Sequence, residues 1–232
     1  MSSDREHIAD PFLTSSPAEP ANAWWRARRQ VADATRELIQ RFTESRADAR
    51  QLEALAERIR GLTAGLSSDR ETMGFSAFAN EGGHGDNDQI VNEINPVIGH
   101  ANPIAPPLEV WFEDGKCKST VCFPYQYEGP PNYVHGGCIA AVFDQLCGVA
   151  QTREKVPGVT GTLSVRYMAP VPLNETLTAL AYVDRMEGRK IFVKGEMYCD
   201  DRQVASCEAL FIRWKEGAYE DIEGNSRFGD KA

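Results

Sequence analysis

Residues 129–148 read GPPNYVHGGCIAAVFDQLCG. The glycine and two prolines at the start break any regular element. From Gly136 the pattern changes. Ile139, Ala140, Ala141, Val142, Phe143, Leu146, Cys147, Val149 and Ala150 leave almost no polar face on a helix over 136–152. A helix that is apolar all round is a buried one, so this segment is expected at the centre of a domain. Asp144 sits in the middle of it. Burying an unpaired carboxylate is costly or forces it to take up a proton. Asp144 is therefore either paired with a buried arginine or backbone group, or held for chemistry.

Outside the helix the apolar period is two. LEVWFEDGKCKSTVCFP (108–124) reads as two strands around the Asp-Gly turn at 114–115. Three more runs follow the helix: VTGTLSVRYMAPV (159–171), ETLTALAYVDRMEGRKIFVKGEMYCD (175–200) and QVASCEALFIRWK (203–215). Turn signals fall at 170–172, 187–188 and 200–201. The order is ββαββββ, an α+β architecture with one helix against an antiparallel sheet.

The first 107 residues have another character. Residues 1–22 are rich in Ser, Pro and Asp and are expected to be disordered. Over 23–66, Trp24, Val31, Leu38, Ser45, Leu52, Ile59 and Leu66 recur every seven residues, with Leu55 and Leu62 beside them. This is an amphipathic helical extension, either one long helix or two with a break near 45–48. It packs on its own domain or a symmetry mate, or else docks a partner. Seven arginines against four acids over 21–50 raise a membrane surface as an option, but membrane contact is not expected. Residues 67–107 read as a linker with a Gly-rich loop (NEGGHGDND, 80–88), where His84 is solvated, and a Pro-rich extended run (HANPIAPPL, 100–108). Residues 217–232 form an acidic tail.

Charge narrows the function. The net charge is −9 over 232 residues, divided as −5 over 1–107, −1 over 108–215 and −3 over 216–232. The chain lacks the basic footprint of a nucleic-acid binder, and the near-neutral second half can accept an anionic ligand. No apolar run reaches the ~20 residues that span a bilayer. The start, MSSDREHIADPF, carries early acids and does not read as a secretory signal. The six cysteines form no C-x-x-C pair and read as reduced thiols of a cytoplasmic protein. No metal site, cofactor or disulfide framework is expected.

The front of the helix carries the functional signal. Glycines let a ligand approach the backbone closely. The first-turn amides have no intrahelical acceptor and the helix dipole adds positive charge. His135-Gly136-Gly137 thus suits a carbonyl oxygen that becomes an oxyanion, and Asp144 supplies a carboxylate two turns on. Cys138 stands in the first turn, where a thiolate is favoured, but no base is placed for it. There is no G-x-S-x-G elbow.

GPPNYVHGGCIAAVFDQ, TGTLSVRYMAPVPLNE and VDRMEGRKIFVKGEMY together resemble the hotdog-fold acyl-CoA thioesterases of the PaaI type, nearest the THEM-like branch of the thioesterase superfamily. The resemblance covers about 108–215 of the chain. It implies a hotdog domain over 108–216, a curved antiparallel sheet wrapped around one central helix. It implies homodimers, often joined into homotetramers, with the active site at the dimer interface and an acyl-CoA as substrate. By position, Asp144 corresponds to the nucleophile or general base, reaching a site built by the other protomer. Gly136 and Gly137 would present backbone N–H to the thioester carbonyl, with His135 holding their loop. Thr160 would orient the attacking water. One departure stands out: some relatives carry Asn or Gln shortly before the His-Gly-Gly, and here Gly129 lies six residues ahead of His135, with Asn132 nearer. Arg189, Lys190 and Lys194 either meet the phosphates of coenzyme A or form a solvated hairpin. The alternative on the same fold is a non-catalytic acyl-CoA-binding regulator or docking module.

Overall fold

Helix and sheet meet through a glycine. The computed structural model describes residues 20, 22–66, 93–106, 108–152 and 158–213. The Gly-rich loop with His84, the acidic tail and nearly all of 1–22 lie outside these residues. The strands are β1 (Leu108–Glu113), β2 (Lys116–Cys122), β3 (Gly158–Tyr167), β4 (Thr176–Glu187), β5 (Lys190–Cys199) and β6 (Arg202–Arg213). They form one sheet in the order β1-β2-β4-β5-β6-β3, with every neighbouring pair antiparallel. The apolar segment is one helix, Gly136–Thr152; we number it α3, after two N-terminal helices. On β5, Ile191, Val193 and Met197 face it and are buried. Between them stands Gly195, where a Cβ would lie 2.7 Å from Cys207 Sγ and 3.0 Å from Phe143 Cδ1. Only a glycine lets Phe143 lie against the middle of the sheet. The expected hotdog arrangement, six antiparallel strands around one helix, is therefore the fold, with helices added at the N-terminus.

The Asp-Gly turn forms as read. Asp114 (φ 51°) and Gly115 (φ 74°) are both left-handed, the conformation of a type I′ hairpin whose twist matches its strands. β3 is an edge strand. It carries no fully buried residue: β6 pairs with one side, and no described strand pairs with the other.

The extension is two helices, α1 (Ala23–Thr43) and α2 (Ala49–Ala64). The break falls where a helix start is encoded: Asp48 and Gln51 form a reciprocal capping box. The seven-residue stripe does not mark the docked face of α1. Trp24 and Val31 are 37% and 65% exposed, whereas Trp25 and Ala32 are buried. The inward positions, one residue on, are Trp25, Arg29, Ala32 and Arg36. Their dock is polar, which is why two of them are arginines. Arg29 makes an ion pair with buried Glu93 at 2.6 Å. Arg36 donates to the carbonyls of His100 (2.9 Å) and Asn102 (2.7 Å).

Residues 93–106, expected to belong to a linker, are folded. Ile98, Ala101 and Ala105 are buried, and Asn102 Nδ2 closes the segment by donating to Ile94 O. None of the residues of α2 is buried. No helix among the described residues is long and apolar enough to cross a membrane.

Candidate active site

The site starts from the turn that ends at His135. Asn132 takes φ +68°, a conformation asparagine tolerates, and its N–H donates to the Glu128 carboxylate. Val134 N–H donates to Val171 O, and His135 N–H to Tyr127 O at 2.8 Å. A Cβ on Gly129 would meet His135 Cα at 2.7 Å, so Gly129 is required by the packing of this loop. The chain then enters α3, and the His135 carbonyl accepts from Cys138 N–H at 2.9 Å.

Both glycines of His-Gly-Gly are set by close approach. A Cβ on Gly137 would stand 3.0 Å from His135 Nδ1, and one on Gly136 would stand 3.3 Å from the Tyr167 ring. Gly137 N–H donates to His135 Nδ1 at 3.0 Å. Tyr167 donates its hydroxyl to Gly136 O at 2.8 Å. Of the two amides expected to face a substrate, that of Gly137 is therefore engaged within the chain. Gly136 N–H meets no acceptor among the described residues.

Asp144 is not buried in the single chain, contrary to expectation. The sheet covers the side of α3 that carries Val142, Phe143 and Leu146; Gly137, Ala141 and Asp144 lie on the exposed side. The Asp144 carboxylate is met there by Thr160, whose hydroxyl donates to Oδ1 at 3.0 Å. An irregularity in β3 puts Thr160 in place. Thr160 pairs with Phe211 and Thr162 with Leu210, leaving Gly161 as an extra residue. Bulges of this kind re-aim a side chain.

The structure thus gathers two groups, Asp144 with Thr160 and His135 with Gly136 and Gly137. It does not gather the basic candidates. Arg189 donates twice to the Arg213 carbonyl, at 3.0 and 2.7 Å. Lys194 pairs with Asp184 at 3.0 Å. Lys190 and Lys194 alternate with inward Ile191 and Val193, which puts them on the outer face of the sheet, away from α3. Burial pushes the Cys138 thiol up, against a thiolate there. All six cysteines are free.

Three features escaped the sequence reading. The bulge at Gly161 leaves no periodic signal. Tyr167 reads only as a member of the strand run 159–171. Asn95 Nδ2 donates to Gln145 Oε1 at 3.0 Å, tying the 93–106 segment to the turn of α3 that bears Asp144. A concavity of about 530 Å³ opens beside the loop, lined by Tyr133, Pro170, Pro172 and residues of the β5–β6 turn. Asp144, Thr160 and Gly136 do not line it.

Comparison with known proteins bears on these groups. Residues 131–206 match the thioesterase superfamily, a span holding Asp144, Thr160 and the His-Gly-Gly. A solved thioesterase superfamily protein is 31% identical, with a TM-score of 0.69 over 84% of this chain and 97% of the other. That coverage exceeds the sheet and α3 together, so the likeness extends into the N-terminal half. Acyl-coenzyme A thioesterase THEM4 of Xenopus laevis is 36% identical over 39% of this chain and 41% of its own length. Its counterpart in Mus musculus is 34% identical over 37% and 38%. The chain spans about two fifths of the length of these curated relatives.

Proposed function

The chain belongs to the thioesterase superfamily, and from this we propose that it hydrolyses an acyl-CoA thioester to the free acid and coenzyme A. The observation that carries the reading is the 3.0 Å bond from Thr160 to Asp144: a carboxylate and a hydroxyl held together on an exposed face, with an unengaged amide at the start of the same helix. Gly136 N–H polarises the thioester carbonyl. Asp144 takes a proton from water as that water attacks the carbonyl carbon, and Thr160 orders the carboxylate and the water. The oxyanion rests on Gly136 N–H until the C–S bond breaks and the coenzyme A thiolate leaves. A thioester is electrophilic enough that a carboxylate and a helix-terminus hole suffice without a serine triad.

Within one chain these groups cannot share a substrate. Eight residues separate Gly136 from Asp144, about 12 Å along the helix at 1.5 Å per residue, whereas a reacting carbon must lie about 3 Å from both nucleophile and oxyanion donor. The active unit is accordingly a homodimer, with Asp144 of one copy facing the His-Gly-Gly of the other. The edge of β3 that no described strand pairs with and the exposed side of α3 are the surfaces that a second copy would cover, and covering them desolvates Asp144.

Thiol release from a panel of acyl-CoAs, short, long and aromatic, tests this with wild type and Asp144→Ala. Turnover that collapses in the variant while acyl-CoA binding persists is expected. Binding by both proteins with turnover by neither would replace the enzyme by an acyl-CoA-binding regulator on the same fold.

A further inference from the structure

Two hydrogen bonds at the start of α3 fall on a single peptide unit. Its oxygen, Gly136 O, accepts from the Tyr167 hydroxyl at 2.8 Å. Its nitrogen, Gly137 N, donates to His135 Nδ1 at 3.0 Å. The unit is planar but sits between two glycines, so its rotation would be soft without these bonds. Held at both ends, it is fixed.

The second bond also decides the state of His135. Its Nδ1 uses a lone pair to accept, so the ring proton is on Nε2. The side chain is exposed, which leaves Nε2–H free to donate outward, next in sequence to the unengaged Gly136 N–H. Hydrogen bonds in series polarise one another: the Tyr167 O–H strengthens Gly137 N–H as a donor, and that donor secures the Nε2–H form. We infer that Tyr167 is a positioning residue for the oxyanion hole. Through the Gly136–Gly137 peptide it holds His135 as a neutral Nε2–H donor, which serves beside Gly136 N–H as the second donor to the thioester carbonyl. This rests on the thioesterase reading above. Core packing does not account for the contact, since Tyr167 is 51% exposed on an edge strand.

Tyr167→Phe removes the hydroxyl and keeps the ring against Gly136. In the full chain, kcat is expected to fall about tenfold, less than the 10²–10³ lost with a direct oxyanion donor, while KM stays within about twofold and Tm is unchanged. The decisive comparison is made in a His135→Ala background, where the same substitution should change kcat by less than about twofold, because residues acting as one unit are not additive. A full tenfold effect in that background, or kcat within about twofold of wild type in the single variant, overturns the proposal. Nitrogen-15 spectra of the His135 ring need no turnover. A single Nε2–H form in wild type that becomes a mixture in Tyr167→Phe supports the relay, and identical spectra overturn it. A wild type that hydrolyses no acyl-CoA would refute the enzymatic reading, while the spectra still decide the relay.

Discussion

Thr160 and Asp144 stand on different elements, an edge strand and the central helix, yet the hydroxyl of one donates to the carboxylate of the other at 3.0 Å. The bulge at Gly161 makes this possible. The bond leaves Asp144 with a second oxygen free for water and fixes the direction of the first. Thr160→Ala is therefore expected to lower kcat by about 10- to 100-fold, at or below the range for general-base assistance, with KM little changed. Thr160→Ser keeps the hydroxyl and should retain activity within about threefold of wild type. Steady-state kinetics on the best acyl-CoA of the panel separates the two. Equal losses in both variants would mean that the methyl group, not the hydroxyl, matters.

The N-terminal helix is joined to the domain by an ion pair in which the Glu93 side chain is only 2% exposed. Removing one partner of such a pair leaves a buried charge without its bonded counterion, although the Arg28 guanidinium also acts on Glu93. Arg29→Met is expected to cost about 3 kcal/mol, whereas replacing a buried pair by apolar side chains is often nearly neutral. The double variant Arg29→Met/Glu93→Leu should therefore recover most of the loss. Thermal unfolding measures the cost, and limited proteolysis of α1 and α2 shows whether the helices have come away. A double variant as unstable as the single one would place the stabilisation in geometry that only the charged pair can supply.

The architecture was legible because its signals are local. Alternation in the strands, the Asp-Gly turn and an all-apolar helix each follow from a repeat readable within a dozen residues, and the His-Gly-Gly marks where that helix begins. The parts that escaped depend on what lies opposite. The heptad of α1 pointed to Trp24 and Val31, but the docking face is polar, so Arg29 and Arg36 turn inward instead. Asp144 looked buried because its neighbours are apolar, but the described residues cover only one side of α3 and leave Asp144 exposed on the other. Arg189 and Lys194 read either as phosphate ligands or as a solvated hairpin, and in the structure a carbonyl and Asp184 engage them. The Tyr167 hydroxyl meets Gly136 from 31 residues away, and no spacing announces it.

His100 brings a pH dependence to the same N-terminal dock. Burial, followed by the nearby charges of Arg29 and Arg36, lowers its pKa from the ordinary 6.5, while Glu93 and Asp33 oppose the shift. Its Nε2 is buried without a hydrogen-bond partner among the described residues. With the folded value below the unfolded one, the unfolded chain takes up the proton first as pH falls through about 6.5, so protonation favours unfolding. This contribution is absent above pH 6.5, grows on acidification, and levels off below the depressed folded value. Melting curves from pH 7.5 to 5 are expected to fall less steeply for His100→Gln than for wild type. Parallel slopes would assign the acid sensitivity to the carboxylates instead.

The separation of Gly136 from Asp144 along α3 allows the shared site to be tested by complementation. Gly136→Pro deletes the amide proton at the first helical position, which a helix backbone tolerates, with the Tyr167 ring, 3.3 Å from the added Cβ, giving by a few tenths of an ångström. Asp144→Ala deletes the carboxylate. Each variant alone should be inactive, because in its homodimer every site lacks one of the two groups. In a mixed dimer, one site lacks both groups and the other is intact, taking Asp144 from one copy and Gly136 from its partner. Random reassociation of equal amounts makes half the dimers mixed, each with one working site of two, so activity should return to about a quarter of the wild-type value. Size-exclusion chromatography before and after mixing must show the same dimer, so that recovered activity reports exchange of chains rather than repair of folding. No recovery, with exchange demonstrated by differently tagged chains, would overturn a site shared between Asp144 of one copy and Gly136 of the other.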